Sequence, residues 1–183
     1  MLNPLHTFFV LFAAFSAVFF ETTFNGFRGV AGAQVELLPA LMVYASLSSG
    51  MPTISALAVC GGLLLDSQSA NPLGISILPL FVIGFLIQKY RGLILREQRV
   101  AQLVLGFSAS AFSPLMTVVL LLNTDKQPLI SWFSLWQWLL MTALGGLACP
   151  VWFWVFDKLN LALSYKALHE TSFRTDREIK RGR

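Results

Sequence analysis

Charge is scarce in this sequence: Asp, Glu, Lys and Arg make up 12% of its 183 residues, against 56% hydrophobic. So little charge excludes an ordinary soluble domain and identifies an integral membrane protein. Histidine is scarcer still. His6 and His169 stand near opposite ends of the chain, no Cys/His cluster has metal-ligand spacing, and no glycine-rich loop with a basic partner is present to cradle phosphate. Ser46, Ser48, Ser49, Ser108, Ser110 and Ser113 have no histidine near them in sequence, so no nucleophile–base pair for an intramembrane hydrolase is visible. Few acids fall inside the apolar runs, which argues against an ion-driven pump. Cys60 and Cys149 both lie in apolar runs; two such thiols supply no disulfide framework and read as small packing residues. The expectation is a protein that is not an enzyme and needs no cofactor or metal.

What the sequence has in abundance is long apolar runs. Residues 100–122 contain no acidic or basic side chain and exceed the roughly 20 residues that cross a hydrocarbon core of about 30 Å. Such a run must be helical, because lipid offers the backbone no hydrogen-bond partner. The pattern predicts an all-α integral membrane protein of about six transmembrane helices, at 5–20, 35–47, 51–65, 73–87, 100–122 and 135–156. The second and third are short for spans and are separated by a Gly50-Met51-Pro52 turn, so tilting, re-entrance or protein neighbours must accommodate them. The N-terminal run lacks a basic n-region and a small-x-small cleavage site, which makes it a retained span and not a signal peptide.

Basic residues exceed acidic ones by 13 to 9, yet they cluster beside apolar runs, so lipid headgroups explain them better than nucleic acid. Lys89, Arg91, Arg96 and Arg99 lie between the fourth and fifth spans, seven more follow the sixth, and Arg28 and Lys126 remain for the other face. The positive-inside rule then puts the middle loop and both termini in the cytoplasm. Had residues 35–65 formed one kinked span, the N-terminus would be outside. Trp132, Trp136 and Trp138 open the sixth span and Trp152 and Trp154 close it, as two interfacial belts would require. Residues 1–158 form the expected membrane domain. Residues 159–183 form a tail in which Leu161, Tyr165 and Leu168 give a short amphipathic helix on the inner surface before a basic end.

Within this frame Asp66, at the end of GGLLLD, is the unusual residue. It is either solvated in the Ser67-Gln68-Ser69 turn or bonded to backbone or partner groups that fix the turn between spans three and four. Asn71-Pro72 supplies an N-cap residue and a first-turn proline for the fourth span, so the cap does not call on Asp66. Gly61, Gly62, Gly74, Gly84, Gly145 and Gly146, with Ala13 and Ala17, permit close helix approach, either inside this chain or against another protein's span. The basic loop serves as the topogenic signal and can also hold anionic lipid or a cytoplasmic partner.

Pro39 and Tyr44 in ELLPALMVYASLSSG, the GGLLLD ending at Asp66, and PLGISIL after it resemble the core signature of the MreD family, rod shape-determining membrane proteins of bacteria, over roughly residues 37–122. The resemblance implies a non-enzymatic subunit of the cytoplasmic (inner) membrane. Such a subunit binds the single-span protein MreC and helps organise the lipid-II polymerase RodA, a class B penicillin-binding protein and the MreB filament in cell elongation. It also implies a fold similar to the substrate-binding components of energy-coupling-factor vitamin transporters, and that gives the alternative: a small-molecule-binding membrane subunit with Ala13 and Ala17 on its coupling face. The segment 21–34 is short, with Arg28 and Gln34 as its main polar groups, which favours a scaffold over a pocket.

Overall fold

The computed structural model describes residues 4–23, 36–69, 71–94, 98–123 and 132–171. Arg28, Arg96, Lys126 and the basic end from residue 172 lie outside them. Among the described residues the chain is all-helical: α1 (Pro4–Thr23), α2 (Leu38–Ser48), α3 (Met51–Gln68), α4 (Ile77–Tyr90), a 3₁₀ turn (Arg91–Leu93), α5 (Arg99–Leu122) and α6 (Trp132–Thr171). Three helical stretches are long and apolar enough to cross a membrane: Pro4–Thr23, Arg99–Leu122 and Trp132–Ala162. The chain divides into two compact units, Met1–Trp152 and Phe153–Arg183.

The sequence LPALMVYASLS of α2 is apolar on every side, and a helix without a polar face has to be enclosed. Every residue from Leu38 to Leu47 is buried, with α1, α3, α4 and α5 packed around it. Eleven residues rise about 16 Å, half the hydrocarbon thickness. Burial inside protein is how this short segment is accommodated, since its ends then find partners without lipid contact. Its hydroxyls are satisfied locally: Ser46 Oγ donates to the Met42 carbonyl and Ser48 Oγ to that of Tyr44, both at 2.6 Å.

Residues 35–65 do not form one kinked span. A Cβ added to Gly61 would fall 3.3 Å from Leu38 Cδ2, and these two positions are equally far from the Ser49-Gly50 break, so α2 and α3 fold back on each other as a hairpin. The next pair does the same. Gly62 lies against the backbone of Ile77, and Gly84 against Ile54 and Met42, which runs α4 antiparallel to α3 and alongside α2. In the last pair Gly106 meets Cys149, while Gly145 and Gly146 meet Ser110 and Phe107. Gly61, Gly62, Gly84, Gly145, Gly146 and the buried Ala17 thus make close contacts within the chain, while Ala13 is half-buried. Cys149 packs as expected, but Cys60 is exposed.

Two boundaries differ from the sequence pattern for physical reasons. The fourth helix starts at Ile77 and not near Pro72, because Gly74 sits at φ +96°, in the left-handed region, and interrupts any right-handed helix begun earlier. The sixth span and the amphipathic segment after it are one helix running to Thr171. No glycine or proline follows Pro150 before that point to stop it.

The two neighbouring glycines of α3 should differ in tolerance. A Cβ at Gly62 would lie 2.7 Å from Ile77 N and 2.8 Å from its Cα, both backbone, whereas at Gly61 it meets the mobile end of Leu38. Gly62→Ala is expected to destabilise by about 1–3 kcal/mol, the usual cost of overpacking, and Gly61→Ala by clearly less. Thermal unfolding of the purified variants in mild detergent measures the difference.

Candidate functional site

Asp66 ends up 2% exposed, in the last turn of α3, and its carboxylate organises the connection to α4. Gly74 N donates to Oδ2 at 2.7 Å, Ser76 N to Oδ2 at 3.1 Å, and Ser76 Oγ to Oδ1 at 2.5 Å. Of the two readings of Asp66, the one in which it bonds backbone and fixes this turn holds, and solvation in the turn does not. The N-terminal cap expected from Asn71-Pro72 is replaced by this remote carboxylate. The Pro72 carbonyl instead accepts from Ile75 N at 3.3 Å, within the turn. Placing negative charge beside the unpaired N–H groups at a helix start is favourable twice over, through hydrogen bonds and through the helix dipole.

α2 likewise takes a side-chain acceptor from the preceding helix. Leu37 N donates to Glu21 Oε1 of α1 at 2.5 Å, and Pro39, in the first turn, has no N–H to satisfy. Two helix starts at one end of the bundle are thus each held by an acid from the end of the preceding long helix.

Beside these starts lies a cavity of about 420 Å³ between the end of α3, the start of α4, α5 and the start of α6; its polar lining includes Glu36, Asn71, Ser76, Ser113, Thr117 and Gln137. Pro114 opens it. Proline inside α5 cannot donate to the Ser110 carbonyl, which loosens the helix at that point. Trp138 completes a wall, its Nε1 donating to the Ala111 carbonyl at 3.1 Å, so this tryptophan is turned into the bundle while Trp132 and Trp136 are exposed. Glu36 precedes α2, and burial pushes its carboxyl up to about 7.

The opposite end of the unit carries a polar cluster. His6 Nε2 lies 3.2 Å from Tyr44 Oη and its Nδ1 3.2 Å from Ser49 Oγ, and Thr7 pairs with Thr53 at 2.9 Å. With its amide nitrogen facing inward, Gln88 donates to the carbonyls of Ser46 and Ser49 at 2.5 and 3.2 Å. A histidine and a serine far apart in sequence are therefore neighbours. Hydroxyls stand at both ring nitrogens, an arrangement that ties α1 to the α2–α3 turn.

Of the residues singled out in the sequence, Pro39, Tyr44, Gly61, Gly62 and Asp66 lie in α2 and α3 and Gly74 in the turn before α4, with Tyr44 towards the end opposite Asp66. Lys89, Arg91 and Arg99 are exposed beyond it, with Lys89 Nζ 5.8 Å from the centre of the Tyr90 ring. Glu21, Glu36, Ser76 and Trp138 were not legible as site residues. The available signal was acids at the edges of apolar runs, the same signal that marked Asp66. The described lining of the pocket comes from Glu36, α3, the turn before α4, α5 and α6, while residues 24–34, expected to be too short to favour a pocket, lie outside the described residues. No family model, curated protein or solved structure matches this chain.

Asp66→Leu strands two backbone N–H groups and a hydroxyl, at about 1–3 kcal/mol for each buried group left unsatisfied. It should lower stability by roughly 3 kcal/mol or more on that basis. Asp66→Asn keeps one acceptor oxygen and should lose about 1 kcal/mol. Denaturant or thermal unfolding in detergent orders the two, and equal, unchanged midpoints would remove Asp66 from the centre of this turn.

Proposed function

We propose that this chain is a multi-pass scaffold subunit of the bacterial cytoplasmic membrane, of the MreD type. In this reading it is not an enzyme. It holds a single-span MreC-type partner and through it helps organise the lipid-II polymerase RodA, a class B penicillin-binding protein and the MreB filament during cell elongation, in contact with membrane lipid. The observation that carries the reading is that Pro39, Tyr44, Gly61, Gly62, Asp66 and Gly74, on which the resemblance rests, belong to one connected unit: α2, buried from Leu38 to Leu47, packed against α3 and α4 and the acid-locked turn between them. A signature made of interlocking architectural parts suits a protein whose output is the presentation of surfaces. The exposed Phe8, Phe12, Phe15 and Phe19 along α1 give such a surface to lipid or to a neighbouring span.

Six crossings with both ends cytoplasmic agree with the alternation of the helices. The start of α1, the α2–α3 turn and the end of α4 share one end through the His6–Ser49 and Gln88 contacts. The basic Lys89, Arg91 and Arg99 follow directly from it. In a cysteine-free background, a single cysteine at Gln98 should resist a membrane-impermeant thiol reagent in intact cells while one at Gln127 reacts; labelling at Gln98 overturns this topology.

The energy-coupling-factor alternative draws support from one observation, the cavity of about 420 Å³, a volume within the range of small-molecule sites. Depletion separates the two readings. Rod-shaped cells that round up, with an MreC-type protein co-purifying with the chain in mild detergent, support the scaffold. Cells that keep their shape and lose uptake of a nutrient reject it in favour of the transporter component.

A further inference from the structure

The cavity has a chemical bias that its volume alone does not reveal. Ser76 Oγ already donates its hydrogen to Asp66, and Thr117 Oγ1 donates its own to the Ser113 carbonyl at 3.0 Å. Each can offer a newcomer only lone pairs. Trp138 has spent its N–H on Ala111, so it presents a ring and no donor. Glu36 contributes a carboxyl group, and among the described residues no Lys, Arg or His lines the space. The Asp66 carboxylate stands directly behind Ser76, adding negative potential from the same side. Leu65, Leu115, Val118, Leu135 and Met141 make the rest of the wall apolar.

A site with one acid, acceptor oxygens on Ser76 and Thr117, amides on Asn71 and Gln137 that can turn either end to a ligand, an indole and an apolar body selects a ligand of complementary make-up. We propose that this cavity binds a small amphiphile bearing a protonated amine, with Glu36 as the counter-charge, the Ser76 and Thr117 oxygens as hydrogen-bond acceptors, and Trp138 as an aromatic wall. A cation beside Glu36 also keeps its carboxylate ionised in a place where burial opposes charge. The ring of Trp138 adds the attraction of a π face for a cation. The inference goes beyond the scaffold reading and does not rest on it, because partner retention and ligand binding are separate measurements.

The test uses the full chain purified in mild detergent and an isosteric pair of probes, tryptamine and the corresponding alcohol tryptophol, titrated calorimetrically at about pH 8, where the amine is protonated. The amine is expected to bind saturably and at least about tenfold tighter than the alcohol, the worth of one charge-assisted hydrogen bond. Glu36→Gln should erase that preference, and Val118→Phe, which fills the space from the α5 wall, should weaken both probes. Equal affinity for amine and alcohol in the unmodified protein overturns the proposal, as does an amine preference that survives Glu36→Gln, or saturable binding of neither probe. The wild-type comparison decides the matter by itself if a variant fails to fold.

Discussion

Two acids, the buried Asp66 and the half-buried Glu21, hold two helix starts, and the rest of this bundle depends on that arrangement. In a bilayer the first N–H groups of a helix have no water to turn to, and an unsatisfied one costs several kcal/mol. Serine, threonine or asparagine at the N-cap is the usual local remedy. Here neither α2 nor α4 has a side-chain cap of its own. The acceptors come instead from the preceding long helices, Glu21 of α1 and Asp66 of α3. A remote cap does more than a local one: it fixes where the next helix begins in space and not merely in sequence.

Once those starts are fixed, the close approaches follow. Gly62 abuts the backbone of Ile77 just where the Asp66 carboxylate binds Ser76, and Gly84 receives Ile54 and Met42 further along the same pair. Without hydrophobic drive between helices in lipid, it is dispersion over such closely fitted faces, with a few hydrogen bonds, that holds a bundle together. The enclosed α2 is the product. It is a helix shorter than a usual span, kept in the interior by neighbours on all sides and pinned at its other end through Tyr44 and the Gln88 amide.

This organisation divides the molecule between rigidity and adaptability. The α2–α3–α4 core is closed by hydrogen bonds at both ends. The α5–α6 pair, by contrast, is joined through glycines and a tryptophan–carbonyl bond beside a proline in α5, and that is where the cavity lies. Under the scaffold role proposed above, the first property would keep partner-facing surfaces in register.

The amino-acid sequence determined that its long helices are apolar enough to cross a membrane, the all-helical class of the described residues and the breaks at Gly50 and near residue 70, because apolar run length and glycine or proline punctuation are local properties. It also marked Asp66 as a residue with a purpose, since an acid at the end of an apolar run is costly unless it has partners. The tertiary structure decided what those partners are. Gly74 and Ser76 lie only eight and ten residues on, yet the capping role went unread, because Asn71-Pro72 offered a complete local cap and the left-handed conformation of Gly74 is not written in its neighbours. The meeting of His6 with Ser49, and of Glu36 with Ser113 and Trp138 around one cavity, was beyond the sequence for a plainer reason. Each joins segments tens of residues apart whose register is set by the fit of glycine-lined helix faces, and no periodicity within one segment encodes which neighbour it will meet.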